Sequence, residues 1–126
     1  MPGPPLAVLI STLLLLGGAR TISDWGPTNP QSFKNGDVIA VGRLKKQNSD
    51  LVEPDPEDMI GHGWFTATFH VAHTESGRLP AKVVRVRYFG HTFLREDIKF
   101  RFHLRPSGSG DYFICKRSDA SGYRCD

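Results

Sequence analysis

The stretch IKFRFHLR, residues 98–105, alternates without a break: Ile98, Phe100, Phe102 and Leu104 fall on one side, and Lys99, Arg101, His103 and Arg105 on the other. A period of two marks a β-strand with one buried and one polar face. Upstream, WFTATFHVAH (64–73) sets Phe65, Ala67, Phe69 and Val71 against Trp64, Thr66, Thr68 and His70. KVVRVRYF (82–89) sets Val84, Val86 and Tyr88 against Val83, Arg85, Arg87 and Phe89. TESGR (74–78), with Pro80 just beyond, turns the chain between these two strands. DVIAVGRL (37–44) follows an Asn35-Gly36 turn and is nearly all apolar, which predicts a first strand buried over most of its length. DYFICKR (111–117), after the turn PSGSG (106–110), supplies the last strand. No window of about a dozen residues keeps a 3.6 period, and only Phe93 to Asp97 has room for a helical turn. About five strands with one short helix or none predict an all-β domain, a small barrel or sandwich.

The chain opens MPGPPLAVLISTLLLLGGA (1–19). Leu6 to Leu16 is apolar or small, too short to cross a bilayer, and ends in Gly17-Gly18-Ala19, residues that suit a signal peptidase. The predicted cut follows Ala19. The alternative is an uncleaved hydrophobic tail, retained as an anchor, or a misplaced start, because no Lys or Arg precedes the apolar run. Nothing after it approaches the roughly 20 apolar residues of a membrane span. The expected organisation is a signal peptide over 1–19, an extended lead-in over 20–35 with Trp25 and Phe33 tucked onto the domain, and one barrel domain over 36–126. The predicted location is secreted or periplasmic. Within LVEPDPEDMIGHG (51–63), Pro54 and Pro56 argue against regular structure, and Glu53, Asp55, Glu57 and Asp58 read as solvated acids rather than a calcium loop.

Charge is uneven. Residues 1–77 hold 5 Lys/Arg and 8 Asp/Glu, a net of −3; residues 78–126 hold 11 and 5, a net of +6. That asymmetry favours an anionic partner for the second half. Two cysteines, Cys115 and Cys125, lack the spacing of a zinc or redox motif and read as one structural disulfide that pins the polar tail.

The order DVIAVGRL (37–44), a long connection, WFTATFHVAHTESGRLPAKVVRVRYFG (64–90) and a final strand ending near a cysteine resembles the netrin-module and tissue-metalloproteinase-inhibitor group. In that group the first strand often ends its apolar run in a glycine, here Gly42. Strands two and three are joined by a short turn with a glycine, here Glu75-Ser76-Gly77. The resemblance covers about residues 35–117 and implies a secreted, five-stranded OB-like barrel. It does not carry over the group's inhibition of metalloproteases, which needs an N-terminal cysteine; the mature chain would begin at Arg20.

The candidate chemistry is a basic strand face. If the strands at 82–89 and 98–105 pair, as consecutive strands usually do, Arg85, Arg87, Lys99, Arg101, His103 and Arg105 form one anion-binding patch. Trp64 and His70, with Thr66 and Thr68, would border it. The partner would be an acidic glycan or a nucleic acid, the plain alternative being that the arginines solvate an outer face. A second class is a small ribonuclease-like hydrolase using His70 and His103, with Glu75 and Arg101. A third is a structural accessory module contacting an exported protein. No cofactor or metal is expected: His70 and His73 are three apart on a strand, on opposite faces.

Overall fold

Strand β2, Val38–Ser49, is the hub of the molecule: it pairs antiparallel with β3, Gly63–Ser76, on one side and with β5, Lys99–Pro106, on the other. The computed structural model describes residues 22–27, 32–49, 63–116 and 125. Strand β3 continues antiparallel to β4, Val83–Gly90, and β4 runs parallel to a short β6, Tyr112–Ile114. Strand β6 returns antiparallel to β5, so β5-β2-β3-β4-β6 closes on itself as a five-stranded barrel. A further strand, β1 (Ile22–Trp25), lies parallel to the first half of β5. No helix occurs among the described residues, and 93–97, where a helical turn had room, is irregular. The signal segment, the acidic connection and the polar tail at 118–124 lie outside the described residues.

Alternation decides what goes inside. Phe65, Ala67 and Phe69 of β3, Val84, Val86 and Tyr88 of β4, and Phe100, Phe102 and Leu104 of β5 form one buried cluster with Val38, Ala40 and Leu44 of β2 and Ile114 of β6. Each fully buried large apolar side chain contributes about 1.5–3 kcal/mol of transfer free energy, and Phe65, Phe69 and Phe102 are among the most enclosed. Gly42 is required where β2 coils against β3: a Cβ there would collide with the His70 carbonyl oxygen. The strand then runs to Ser49, beyond the 37–44 expected, through a bulge that sets Lys46 and Gln47 against Ala67. Lys46 takes a left-handed φ of 54° at that bulge. Gln47 clamps the crossing at 91–98: its carbonyl accepts from the Tyr88 hydroxyl and from the Leu94 amide at 2.9 Å, and its amide donates to the Leu94 carbonyl at 2.7 Å. Burial in this setting pushes the Tyr88 phenol up to about 12, with the nearby Glu96 adding to it and the Leu94 backbone pulling the other way.

The lead-in is more than a passive extension. Residues 22–25 form β1, and Trp25 packs edge-on against Phe100 and Phe102, with centroids 5.8 and 5.5 Å away. Lys99–Phe102 pairs with β1, and only Leu104–Pro106 pairs with β6, so Trp25 covers core rings on the half of β5 that β6 does not reach. Cys115 follows β6 directly and is disulfide-bonded to Cys125, with Cα atoms 5.4 Å apart. Closing a ten-residue loop this way stabilises by about 2–3 kcal/mol on the chain-entropy account. The Cys115 amide donates to the His103 carbonyl at 2.9 Å, which lengthens the β5–β6 seam.

Candidate anion-binding face

Strands β4 and β5 do not pair. Strand β6 takes the edge of β4 that β5 was expected to take, so Arg85 and Arg87 are separated from the cationic side chains of β5. The six-residue patch drawn from consecutive-strand pairing is therefore not assembled. What the register assembles instead is a face across β2, β3 and β4.

Three rows cross it. Arg43, His70 and Val83 are register partners; so are Lys45, Thr68 and Arg85; so are Asn48, Thr66 and Arg87. Neighbouring strands lie about 4.8 Å apart and same-face residues about 6.7 Å apart along a strand, which puts these groups within one small patch. Arg43, Lys45 and Arg85 are exposed, and Arg87, Thr66, Thr68 and His70 are half-buried. The Thr68 hydroxyl donates to the Lys45 carbonyl at 3.1 Å and lies 3.2 Å from His70 Nε2. Among the described residues, none of Arg43, Lys45, Arg85 and Arg87 makes an ion pair at contact distance. Two acids stand nearby. Asp97 is held low first by Arg95 and, more weakly, by Arg43; Asp111 is held low first by Ser107 and, more weakly, by Arg87.

The face ends in aromatic rings. Trp64 pairs in register with Phe89, and their rings meet edge-on at 5.4 Å. Phe113, the β6 partner of Arg87, lies 5.5 Å from Trp64. The Arg87 guanidinium carbon stands 5.5 Å from the Trp64 centroid and 5.7 Å from that of Phe113, within cation–π range of both. All three rings are half-buried.

The cationic side chains of β5 are differently placed. Lys99 is half-buried. Arg101 donates from Nε to Glu75 and from Nη1 to Asp24, each at 2.8 Å, and so ties β5 to the end of β3 and to β1. Its hydrogen bonds are the leading reason why both carboxyls sit below their ordinary range. His103, expected on an exposed face, is 2% exposed. Its Nε2 meets Asp37 at 2.7 Å, and Phe33 stacks on its ring with centroids 5.6 Å apart. Arg105 grips Asp37 with two bonds, Nε at 2.9 Å and Nη2 at 2.7 Å. It also donates to the Ser32 carbonyl at 2.9 Å and to the Cys125 carbonyl. Burial pushes the Asp37 carboxyl up, but Arg105, the Lys34 amide and His103 outweigh it and bring the group down to about 2. This node fastens the lead-in, β5 and the disulfide-bonded tail to one carboxylate.

The hydrolase arrangement does not gather. His70 stands at the Arg43 register of β2 and His103 at the Ile39 register, with the His103 ring enclosed, so the two imidazoles share no exposed face. Glu75 and Arg101 do meet, as an ion pair. His73 and Glu75 approach to 3.6 Å. Among the described residues no three His, Cys, Asp or Glu side chains converge as a metal cage. The strand pattern missed Arg43 and Lys45 as members of the face, although their period-two spacing at the end of the first strand was the available signal. Phe113 was missed as well, because its place beside Arg87 is set by the pairing of β4 with β6.

No protein-family model matches the chain, and no curated protein or solved structure is detectably similar to it.

Proposed function

We propose that this chain is an exported OB-type binding module that holds a single-stranded nucleic acid along the outer face of β2, β3 and β4. The carrying observation is the continuous set Arg43, Lys45, Arg85 and Arg87, which makes no contact-distance ion pair among the described residues and is bordered by half-buried aromatic rings. Cations that track a phosphate backbone beside rings on which bases stack are the two needs of single-strand binding. The ring order β2-β3-β4-β6-β5, with a meander followed by a crossover, supports the OB-type reading, and OB barrels bind oligonucleotides and oligosaccharides on this strand face. The Cys115–Cys125 bridge and the apolar segment at 1–19 support export.

Fluorescence anisotropy of a labelled oligothymidylate against salt tests this with the disulfide-intact protein. If about four phosphates are neutralised, log K falls against log salt with a slope near −3, because each contributes about −0.7 on a single strand. An Arg43→Ser, Lys45→Ser, Arg85→Ser variant shallows that slope to about −1, whereas Lys99→Ser leaves it unchanged. Absence of oligonucleotide binding at low salt, or a slope indifferent to the triple substitution, overturns the proposal. Binding to heparin alone would move the ligand to the acidic glycans.

A further inference from the structure

Two arginines share the outer face of β4, but they are not held alike. Arg85 is exposed and pairs across to Thr68, with no ring contact among the described residues. Arg87 is half-buried and pairs with Thr66 on one side and Phe113 on the other. Its guanidinium carbon and the centroids of Trp64 and Phe113 form a nearly equilateral triangle, with sides of 5.5, 5.7 and 5.5 Å. The guanidinium thus caps the notch where the two rings meet.

That setting has a chemical consequence. A long cationic side chain loses rotamer freedom when it binds, and much of that loss is already taken by a side chain held against two rings. The guanidinium is planar and presents its N–H groups as a rigid fork that matches two oxygens of one phosphate; an ammonium presents a point charge and does not stack in the same way. Asp111, the acid nearest in influence, is itself bonded by the Ser107 and Ser109 hydroxyls. We infer that Arg87 is the specificity-determining residue of the face: a pre-oriented fork for a single phosphodiester, while Arg43, Lys45 and Arg85 supply charge that any cation could replace. This rests on the nucleic-acid reading above and adds to it a division of labour among the cations.

The test keeps charge constant. Arg87→Lys and Arg85→Lys are compared with the unchanged protein for an oligothymidylate of about 15 residues, the upper part of the range one such barrel covers. Arg87→Lys is expected to weaken binding on the order of tenfold, the scale of one charge-assisted hydrogen bond, with the salt slope unaltered because no charge is lost. Arg85→Lys, at a site with no ring contact among the described residues, is expected to weaken binding by a clearly smaller factor than Arg87→Lys. Phe113→Leu, which removes one wall of the notch, should weaken binding when made alone and do nothing further when added to Arg87→Lys. Equal affinities of the two lysine variants, whether both unchanged or both weakened, overturn Arg87's special place and leave the nucleic-acid reading standing. Failure of the unchanged protein to bind overturns both. Should Arg87→Lys weaken heparin and oligothymidylate alike, the fork recognises an oxyanion without regard to its polymer, which overturns its role in selecting nucleic acid.

Discussion

Strands β4 and β5 carry the same kind of outer face, arginines spaced two apart or four, and the fold uses them in opposite ways. On β5, Arg101, His103 and Arg105 each meet a carboxylate brought from another segment: Asp24 and Glu75 for the first, Asp37 for the other two. On β4, Arg85 and Arg87 make no ion pair at contact distance among the described residues. The difference comes from what covers each strand. Strand β1 beside β5, residues 32–37 and the end of β3 bring Asp24, Asp37 and Glu75 to β5, whereas the outer neighbours of β4 are threonines and aromatic rings. Arginine on a strand surface is therefore uninformative until its covering is known; among the described residues it is a fastening on one strand and a set of cations without contact-distance ion pairs on another.

The largest effect should come from removing the fastening. Asp37→Ala removes the carboxylate that meets Arg105 and the enclosed His103, and losing one partner of a buried ionic group costs about 3 kcal/mol or more. Arg85→Ser, at an exposed position of β4, should stay within about 0.5 kcal/mol. Urea unfolding of the two variants beside the unchanged protein measures both. Comparable losses would dissolve the distinction between the two strands.

Acid gives a second, smaller handle on the same node. Folding lowers the Asp37 carboxyl from 3.8 to about 2. A group whose folded value is depressed stabilises fully above its unfolded value, and that share disappears as the pH falls from there through about 2. The shift corresponds to about 2 kcal/mol, lost between roughly pH 4 and pH 2. Asp37→Asn, already lacking the charge, should show a flatter stability curve across that window, while Arg85→Ser should follow the unchanged protein. A variant curve as steep as the original would place the acid sensitivity on other carboxyls.

The barrel strands were legible because each buries one face, so Phe100, Phe102 and Leu104 had to alternate with polar residues whatever their neighbours were. Strand order was less legible. The place of β6 beside β4 depends on three residues, Tyr112–Ile114, anchored by a disulfide and by contacts far apart in sequence. The four residues of β1 carry no pattern of their own; they are held by Trp25 against two core rings. The continuation of β2 through Lys45 to Ser49 is polar, and its bulge at Lys46 breaks the period that would have announced it. Asp37 read as the start of a strand after a turn and His103 as a surface residue, because a carboxylate reached across 66 residues of sequence has no local signature. The candidate face was half visible for the same reason: Arg85, Arg87, Trp64 and His70 share a hairpin, whereas Arg43 and Lys45 join them only once β2 is known to lie beside β3.

The smallest effect separates two kinds of fastening on β5 itself. Arg101 meets two carboxylates, yet its network is more open than the one around Asp37: side-chain exposures are 27% for Arg101, 65% for Asp24 and 38% for Glu75, against 3% for His103 and 1% for Asp37. Exposed pairs are worth about 1 kcal/mol or less and weaken with salt. Arg101→Ser should therefore lower stability by less than about 1 kcal/mol at low ionic strength, and the deficit should shrink further in about 0.5 M salt, where dissolved ions screen an exposed pair more strongly. Unfolding of this variant at the two salt concentrations, set beside Asp37→Ala, asks whether burial governs the strength of a fastening. A salt-independent loss as large as that of Asp37→Ala would show that burial does not set the strength; a small, salt-sensitive one leaves burial in charge.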